Sequence, residues 1–487
     1  MLKCKLVIKD EVNCKFEGLD LPTRKSLSSK FKFKIPYAQH IPAVRLGRWD
    51  GTVAFFQLGG TTYVNLLTEI IPLLVDAGWE ITLEDQRPGH SFQFDTVTED
   101  TFKHICWPNG HPAAGKPIIL REDQLQAVNT FLENPQSLQC LATGFGKTIV
   151  TAALSYMVEQ YGRSIIIVPN KSLVVQTEAD YINMGLDVGV FYGDRKETGK
   201  THTICTWQSL HSLFKKSKNA DDDSTDQFAI EEFMNDVVCI MIDEAHGIKG
   251  DALKSMLTGF MSDVPIRWGM TGTIPKEKFE STALYVSIGH VVNTVAASTL
   301  QDQGVLAKCH VQVLQTQEVS VYKTYQTEMQ YLLNDKNRLD WMSDKIAKIS
   351  ETGNTLVLVD RIATGKELEK LIPGSVFISG VTKNSARKEQ YDDVADADGK
   401  ILIATFGIAA VGINIPRIFN LILLEPGKSF VRVIQSIGRG IRKAEDKDFV
   451  QIYDITSKCK FSKRHLSVRK TFYSDAGYPY DVEKVYI

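Results

Sequence analysis

Short apolar runs, each followed by a segment of helical periodicity, recur through most of this chain. Ser164–Val168 and Val237–Ile242 fall in a stretch from Pro117 to about Leu300. Thr355–Val359, Val376–Ile378, Ile401–Ala404 and Leu421–Leu424 fall in a second, from about Cys309 to Ile455. A strand that is apolar throughout must be covered on both faces, and the intervening helices can do this. The pattern therefore predicts two similar α/β units, each built on a parallel sheet. Residues 1–110 read differently. Leu2–Ile8 alternates Lys with apolar residues, and Ser29–Ile35 puts Lys and Phe on opposite faces. Thr52–Gln57 follows a turn signal at Arg45-Leu-Gly-Arg-Trp-Asp-Gly51, and Leu66–Ala77 has helical spacing. Together these predict a small α+β domain. Asn219–Glu232 is acidic and reads as a solvated loop. The expected divisions are 1–110, 111–302, 303–456 and a short basic and aromatic tail, 457–487.

A chain of 487 residues has room for about three domains. Its formal net charge of −2 provides no global basic field, so any polyanion must be met by local patches. The eight cysteines form no CxxC pair, which argues against a structural zinc or an iron–sulfur cluster and fits a reducing compartment. Met1–Lys9 has no uninterrupted apolar stretch, and no run is long enough to span a bilayer. The expectation is a cytoplasmic protein with no membrane partner.

Three motifs carry chemistry. Ala142-Thr143-Gly144-Phe-Gly146-Lys147-Thr148 lies between an apolar stretch and the helical run Ile149–Tyr161. Strand, glycine loop and helix N-terminus form an arrangement that cradles a nucleotide's phosphates. Lys147 would reach the β- and γ-phosphates and Thr148 would bind Mg²⁺. The strict GxxxxGK[ST] pattern is not met, because Leu141 stands at its first glycine. Second, Val237–Ile242 runs into Asp243-Glu244-Ala245-His246. Asp243 is the candidate Mg²⁺ ligand and Glu244 the candidate that orients the attacking water. Asp before Glu is also a common helix cap, but this pair ends an apolar strand 96 residues after Lys147. Third, Gln435-Ser-Ile-Gly-Arg439-Gly-Ile-Arg442 puts Gln435, Arg439 and Arg442 near one helical face, where the arginines can serve a γ-phosphate.

In this order the motifs resemble those of the superfamily two helicases, over about residues 117–456. The resemblance implies two tandem RecA-like domains, ATP and Mg²⁺ as cofactors, and a nucleic-acid partner. It places Gln124 at the adenine, with Asp123 where the family often has an aromatic residue. It adds His246 to the nucleotide site and likens Thr271-Gly-Thr273 to the motif coupling that site to the nucleic-acid track. Pro169 and Asn170 resemble one strand-contact motif, Thr206 and Gln208 the next; Trp207 between them reads better as a core residue. Thr405 through Gly412 and Asn414 resemble a motif that touches both backbone and ATP. More narrowly, Arg48-Trp49-Asp-Gly51 ahead of a helix and Gly78-Trp79, the compact core and the short tail resemble UvsW-type helicases of tailed bacteriophages. That implies remodelling of branched DNA (fork reversal, Holliday junction migration, D-loop or R-loop unwinding) in the host-cell cytoplasm.

Outside the core, residues 1–50 hold eleven Lys/Arg against five Asp/Glu, and residues 455–474 carry basic residues and no acid, Lys458, Lys460, Lys463 and Arg464 among them. Such residues grip phosphates, and Phe31, Phe33, Trp49, Phe461 and Phe472 could stack on bases. For the N-terminal strands, DNA contact and a merely solvated face stay equally open. For the tail, contact is favoured. RNA as the partner, translocation on duplex without strand separation, and a non-catalytic binding protein with a degenerate motor are the competing readings.

Overall fold

The computed structural model describes the chain apart from Met1, Gly110, Pro112, 219–224, Gly250, Val319, 383–388, Asp392, Ala395, Asp396, 410–414, Pro416 and Glu445. The side chains of Lys218, 225–229, Lys249, Asp251, Ala409, 430–432, Gln435 and Arg439 are also outside the description. The described residues divide into two compact units: Met1–Leu141 with Gly146–Thr294, and Ala142–Phe145 with Val295–Ile487.

The first unit begins with a four-stranded sheet in the order Thr61–Tyr63, Asn13–Glu17, Leu2–Ile8, Trp79–Asp85. Its apolar face and the helix Leu67–Asp76 enclose Leu6, Phe16, Phe55, Ile70 and Trp79. Phe279, Ala283 and Val286 of the helix Lys278–Ser287 belong to the same core. Polar contacts tie the sheet down further: Glu11 N donates to the Ser262 carbonyl at 3.0 Å and Asn13 Nδ2 to that of Thr258 at 2.9 Å. The N-terminal module is thus packed onto the α/β part of its unit by a shared apolar core. One local expectation changes. Strand alternation over Ser29–Ile35 survives only at Lys32–Lys34, because the helix Leu21–Lys30 takes the first two residues. Asp20 caps that helix by accepting from Thr23 N at 2.8 Å, and Pro22 lies in its first turn.

The rest of this unit is an eight-stranded sheet in the order Arg195–Lys196, Val188–Tyr192, His202–Thr206, Arg163–Val168, Val237–Asp243, Ile266–Thr271, Gln136–Leu141, His290–Val295. From Val188–Tyr192 to Gln136–Leu141 all pairings are parallel. Of the acidic stretch Asn219–Glu232 expected as a loop, residues 219–224 lie outside the described residues, and the remainder belongs to a helix, Thr225–Met234. Ile230 and Phe233 are buried, and the Phe233 ring lies 5.1 Å from that of Phe191. Two well-placed apolar residues outweighed the local acidity.

The second unit holds a seven-stranded sheet in the order Ser375–Ile378, Ile401–Thr405, Thr355–Val359, Asn420–Leu424, Phe449–Ser457, Lys308–Thr316, Tyr480–Val485. Every one of these pairings is parallel. Residues 457–487, expected as a tail, supply the helix Lys460–Asp475 and the edge strand Tyr480–Val485. The helix is held by a bidentate pair between Arg469 and Asp454, both fully buried.

A polar chain joins the helix Lys147–Val158 to the strands of the eight-stranded sheet. His202, fully buried, bonds Ser164 Oγ at 2.7 Å through Nδ1 and Glu159 at 3.3 Å through Nε2. Ser155 Oγ lies 3.2 Å from Ser164 Oγ and 2.8 Å from the Tyr181 hydroxyl. Burial pushes the His202 pKa down to about 4, so the ring is neutral in the fold. The unfolded chain takes up that proton near the ordinary value of about 6.5. Stability from this group is therefore complete above pH 6.5 and is lost as pH falls towards 4, by up to about 3 kcal/mol. Thermal unfolding of the wild type and His202→Gln at pH 7.5 and pH 5 measures this. The wild type should lose more of its midpoint on acidification; equal losses would show that His202 is not the source.

Candidate active site

Because the central strands run parallel, their carboxyl ends share one edge of the eight-stranded sheet. Thr206 stands opposite Val168, Ile167 opposite Ile242, Asp243 opposite Met270, and Thr271 opposite Cys140. Gln208, Asn170, Asp243, Glu244 and Thr271 all leave the sheet at that edge, where ligands of open α/β sheets gather.

At its middle, Lys147 Nζ lies 3.4 Å from Glu244 Oε1, and both side chains are about nine-tenths buried. Glu244 Oε2 lies 3.3 Å from His246 Nδ1, which is 3.0 Å from Thr271 Oγ1. Thr271 Oγ1 donates to the Thr273 carbonyl at 2.9 Å. One connected path therefore runs from the phosphate-loop lysine through the acidic box to the Thr-Gly-Thr turn. Glu244 holds a left-handed backbone at φ 54°. For a non-glycine residue this costs of order 1–3 kcal/mol, a strain concentrated at functional sites. It turns the carboxylate off the strand axis while its N–H bonds Asp243 Oδ1 at 2.9 Å. Burial lifts the Asp243 carboxyl to about pKa 6, with Lys147 opposing the shift. A carboxylate so poor in solvent is well suited to a cation.

Gly146, at φ 90°, caps the helix that starts at Lys147. A Cβ there would also come within 2.6 Å of Gln124 Nε2. Gln124 is buried at the start of the helix Glu122–Glu133, its Oε1 accepting from Arg121 N at 3.1 Å. Asp123 is clamped by the Arg121 guanidinium at 3.0 and 3.1 Å. Thr143 is half-buried and Gly144 left-handed at φ 91°. Burial raises the Asp180 carboxyl pKa and the nearby Thr148 side chain opposes the shift, a neighbour that no sequence pattern announces. Thr148 and Asp243 are both oxygen donors, the kind a hard cation such as Mg²⁺ takes, usually with one or two carboxylates and the substrate's phosphates. The two residues fit that ion chemically.

In the second unit, Gln435 and Arg439 lie on the helix Phe430–Gly440 and Arg442 is half-buried just beyond it. Thr405 ends the strand Ile401–Thr405. Gly412 and Asn414 lie outside the described residues.

Among the expected nucleic-acid contacts, Pro169 and Asn170 follow the strand Arg163–Val168. Asn170 caps the next helix, accepting from Leu173 N at 3.1 Å. Thr206 is buried and Gln208 exposed, while Trp207 packs against the core. In the N-terminal module Arg48 is exposed, but Trp49 is half-buried and its ring N–H donates to the Thr52 carbonyl at 3.0 Å. Phe31 and Phe472 are core residues. Lys458, Lys460, Lys463 and Arg464 are exposed.

Fold and site define a phosphate-loop nucleoside triphosphatase built from paired parallel-sheet domains. Residues 117–276 match the family model of the type III restriction enzyme res subunit, and residues 337–444 that of the helicase conserved C-terminal domain. The chain is 21% identical over 464 residues to the ATP-dependent DNA helicase uvsW of Enterobacteria phage T4, covering 91% of this chain and 88% of that one. The fragment structure of a putative HsdR subunit of a type I restriction enzyme from Vibrio vulnificus superposes with a TM-score of 0.55 at 18% identity, covering 97% and 85%. Dbp5 of S. cerevisiae bound to RNA and ADP BeF3 gives 0.52 at 15%, covering 75% and 89%. The chain belongs to the superfamily two helicases, with two RecA-like domains.

The His246–Thr271 contact sits where the nucleotide site meets the turn expected to couple it to nucleic acid. Thr271→Val, nearly isosteric, removes the hydroxyl alone. Nucleic-acid stimulation of ATP hydrolysis should drop at least about fivefold, the worth of one hydrogen bond, with basal hydrolysis and ATP binding retained. Full stimulation in the variant would remove Thr271 from the coupling path.

Proposed function

We propose that the chain is an ATP-dependent DNA helicase or translocase that remodels branched DNA: reversing forks, migrating Holliday junctions and unwinding D-loops or R-loops. The observation that carries the reading is the connected path from Lys147 through Glu244 and His246 to Thr271, on the same sheet edge as Asn170 and Gln208. Kinship with a phage DNA helicase along nearly the whole chain favours DNA. The work would be done in the cytoplasm, that of the host cell for a phage protein.

Phosphoryl transfer asks for placement and charge stabilisation more than covalent chemistry. Lys147 neutralises the β- and γ-phosphates against the loop's N–H groups, and Gln124 reads adenine. Thr148 and Asp243 would hold Mg²⁺, which would screen phosphate charge when bound. Glu244, released from Lys147 as the phosphates arrive, orients the attacking water. Arg439 and Arg442 stabilise charge on the transferring group, and Gln435, Gly412 and Asn414 serve the same site. On the track, Pro169, Asn170, Thr206, Gln208 and Thr405 meet the backbone of one strand. Asn170 supports this: its Nδ2 is buried with no partner among the described residues, and a phosphate oxygen would satisfy it. The exposed Lys458, Lys460, Lys463 and Arg464, and Arg48 with Trp49, hold duplex arms.

Steady-state ATP hydrolysis with single-stranded DNA, duplex DNA, a four-way junction and single-stranded RNA tests the reading. Stimulation should be greatest with the junction; stimulation by RNA alone would keep the motor and overturn the substrate. Lys147→Ala and Glu244→Gln should each abolish turnover while DNA binding stays within about twofold. Wild-type turnover in either would overturn the site. Neutralising Lys458, Lys460, Lys463 and Arg464 together should weaken junction binding and flatten its salt dependence by up to about four ions. An unchanged slope would reduce that face to solvated surface.

A further inference from the structure

The helix Phe430–Gly440 carries Gln435 and Arg439, and both of its ends are gripped by buried cations that lie outside the motifs. At the entry, the Gly427 carbonyl accepts from Arg469 Nη1 at 2.7 Å. The other two nitrogens of that guanidinium clamp Asp454 at 2.8 and 2.9 Å, and the Tyr473 hydroxyl donates to the same carboxylate at 2.8 Å. Gly427 is left-handed at φ 73°, two residues after Glu425, itself left-handed at φ 43°. Glu425 is fixed in turn by Arg338 at 2.8 Å and by the Ser462 hydroxyl at 2.8 Å. The loop leading into the helix therefore has little freedom.

At the exit, Lys447 is 1% exposed. Its Nζ donates at 3.0 Å both to the carbonyl of Gly440, the last residue of the helix, and to that of Ile418. Carbonyls at a helix C-terminus have no intrahelical donor, and a cation there also meets the negative end of the helix dipole. Ile418 closes the segment that began with Thr405 and includes Gly412 and Asn414, so one ammonium joins that segment to the arginine-bearing helix. Burial of such a cation is costly: the Lys447 pKa is pushed down to about 7, with Arg442 lowering it further and Asp446 opposing. Apolar replacements of buried ionic groups are often neutral or stabilising. The distinctive contribution of Lys447 and Arg469 is then where they put the helix.

We propose that Lys447 and Arg469 are positioning residues for ATP hydrolysis, fixing the two ends of the helix Phe430–Gly440 so that Arg439 and Arg442 are presented to the transferring phosphate in one geometry. This rests on the role given above to those two arginines. Displacement of a catalytic group by about an ångström can cost a hundredfold in rate.

The test uses the full chain with saturating single-stranded DNA. ATP turnover, KM for ATP, DNA affinity by fluorescence anisotropy and thermal midpoint are compared for Lys447→Met, Arg469→Lys, Tyr473→Phe and Arg439→Ala. The expected result is a fall in kcat of about tenfold or more for Lys447→Met and Arg469→Lys, with KM and DNA affinity within about twofold and folding confirmed by the melt. Tyr473→Phe removes one hydroxyl from the clamp and leaves the ion pair, so it carries the same test should Arg469→Lys fail to fold; its kcat should fall about threefold. Wild-type kcat in the folded variants, or equal deterioration of kcat, KM and DNA affinity, overturns the positioning role. Wild-type kcat in Arg439→Ala identifies instead a failure of the arginine reading.

Discussion

The parallel direction of the central strands is the constraint on which the first unit's chemistry depends. A parallel ladder delivers every strand's carboxyl end to one edge, so residues far apart in sequence reach solvent side by side. Asp243 pairs with Met270 and Thr271 with Cys140, so the acidic box lies between the Thr-Gly-Thr turn and the strand leading to Asn170. The spacing of neighbouring strands, about 4.8 Å, sets how far apart these residues stand along the edge. The His246–Thr271 contact crosses one such interval.

Backbone strain appears where the edge needs a side chain aimed away from the strand. Among the described residues, non-glycine positive φ occurs at Asp236, Glu244 and Glu425. Glu244 and Glu425 each follow the last residue of a sheet strand in their own unit. Each is held by a cation: Glu244 by Lys147, Glu425 by Arg338. A left-handed residue at a strand end turns the chain sharply and frees the carboxylate from the sheet's alternation. The paired cation supplies the electrostatic reason for it to stay.

The α/β architecture was legible because apolar strands and helical periods alternate, and periodicity is a property of many residues at once. The site's motifs were legible for a similar reason: each is a short run whose backbone geometry is local. What escaped was decided by contacts between distant segments. The described part of the acidic run, from Thr225, became a helix because Ile230 and Phe233 found a core. The tail became a helix and a strand because Arg469 found Asp454 and because the strand Lys308–Thr316 still had a free edge. One signal was there to read: Asp454 interrupts an otherwise apolar and neutral strand, and a carboxylate in that position requires a buried partner. Asp180 beside Thr148, and Lys447 beneath the arginine-bearing helix, had no such flag. Their roles depend on which carbonyl or hydroxyl the fold brings to them.

The helix Lys460–Asp475 shows why composition alone misjudged its stretch of sequence. Its basic residues divide by helical face. Arg469 turns inward with Ser462, Leu466 and Phe472, while Lys460, Lys463 and Arg464 remain exposed. The inward face belongs to the buried network that fixes Gly427 and Glu425, and the outward face is left as a positive surface. A single helix thereby sits between the loop entering the arginine-bearing segment and an exposed basic surface. Load applied to the outer face by a nucleic-acid arm would be borne by Arg469 and Ser462, which anchor that loop. A charge count sees one uniform basic run, whereas the 3.6-residue period separates it into a buried anchor and an exposed basic face.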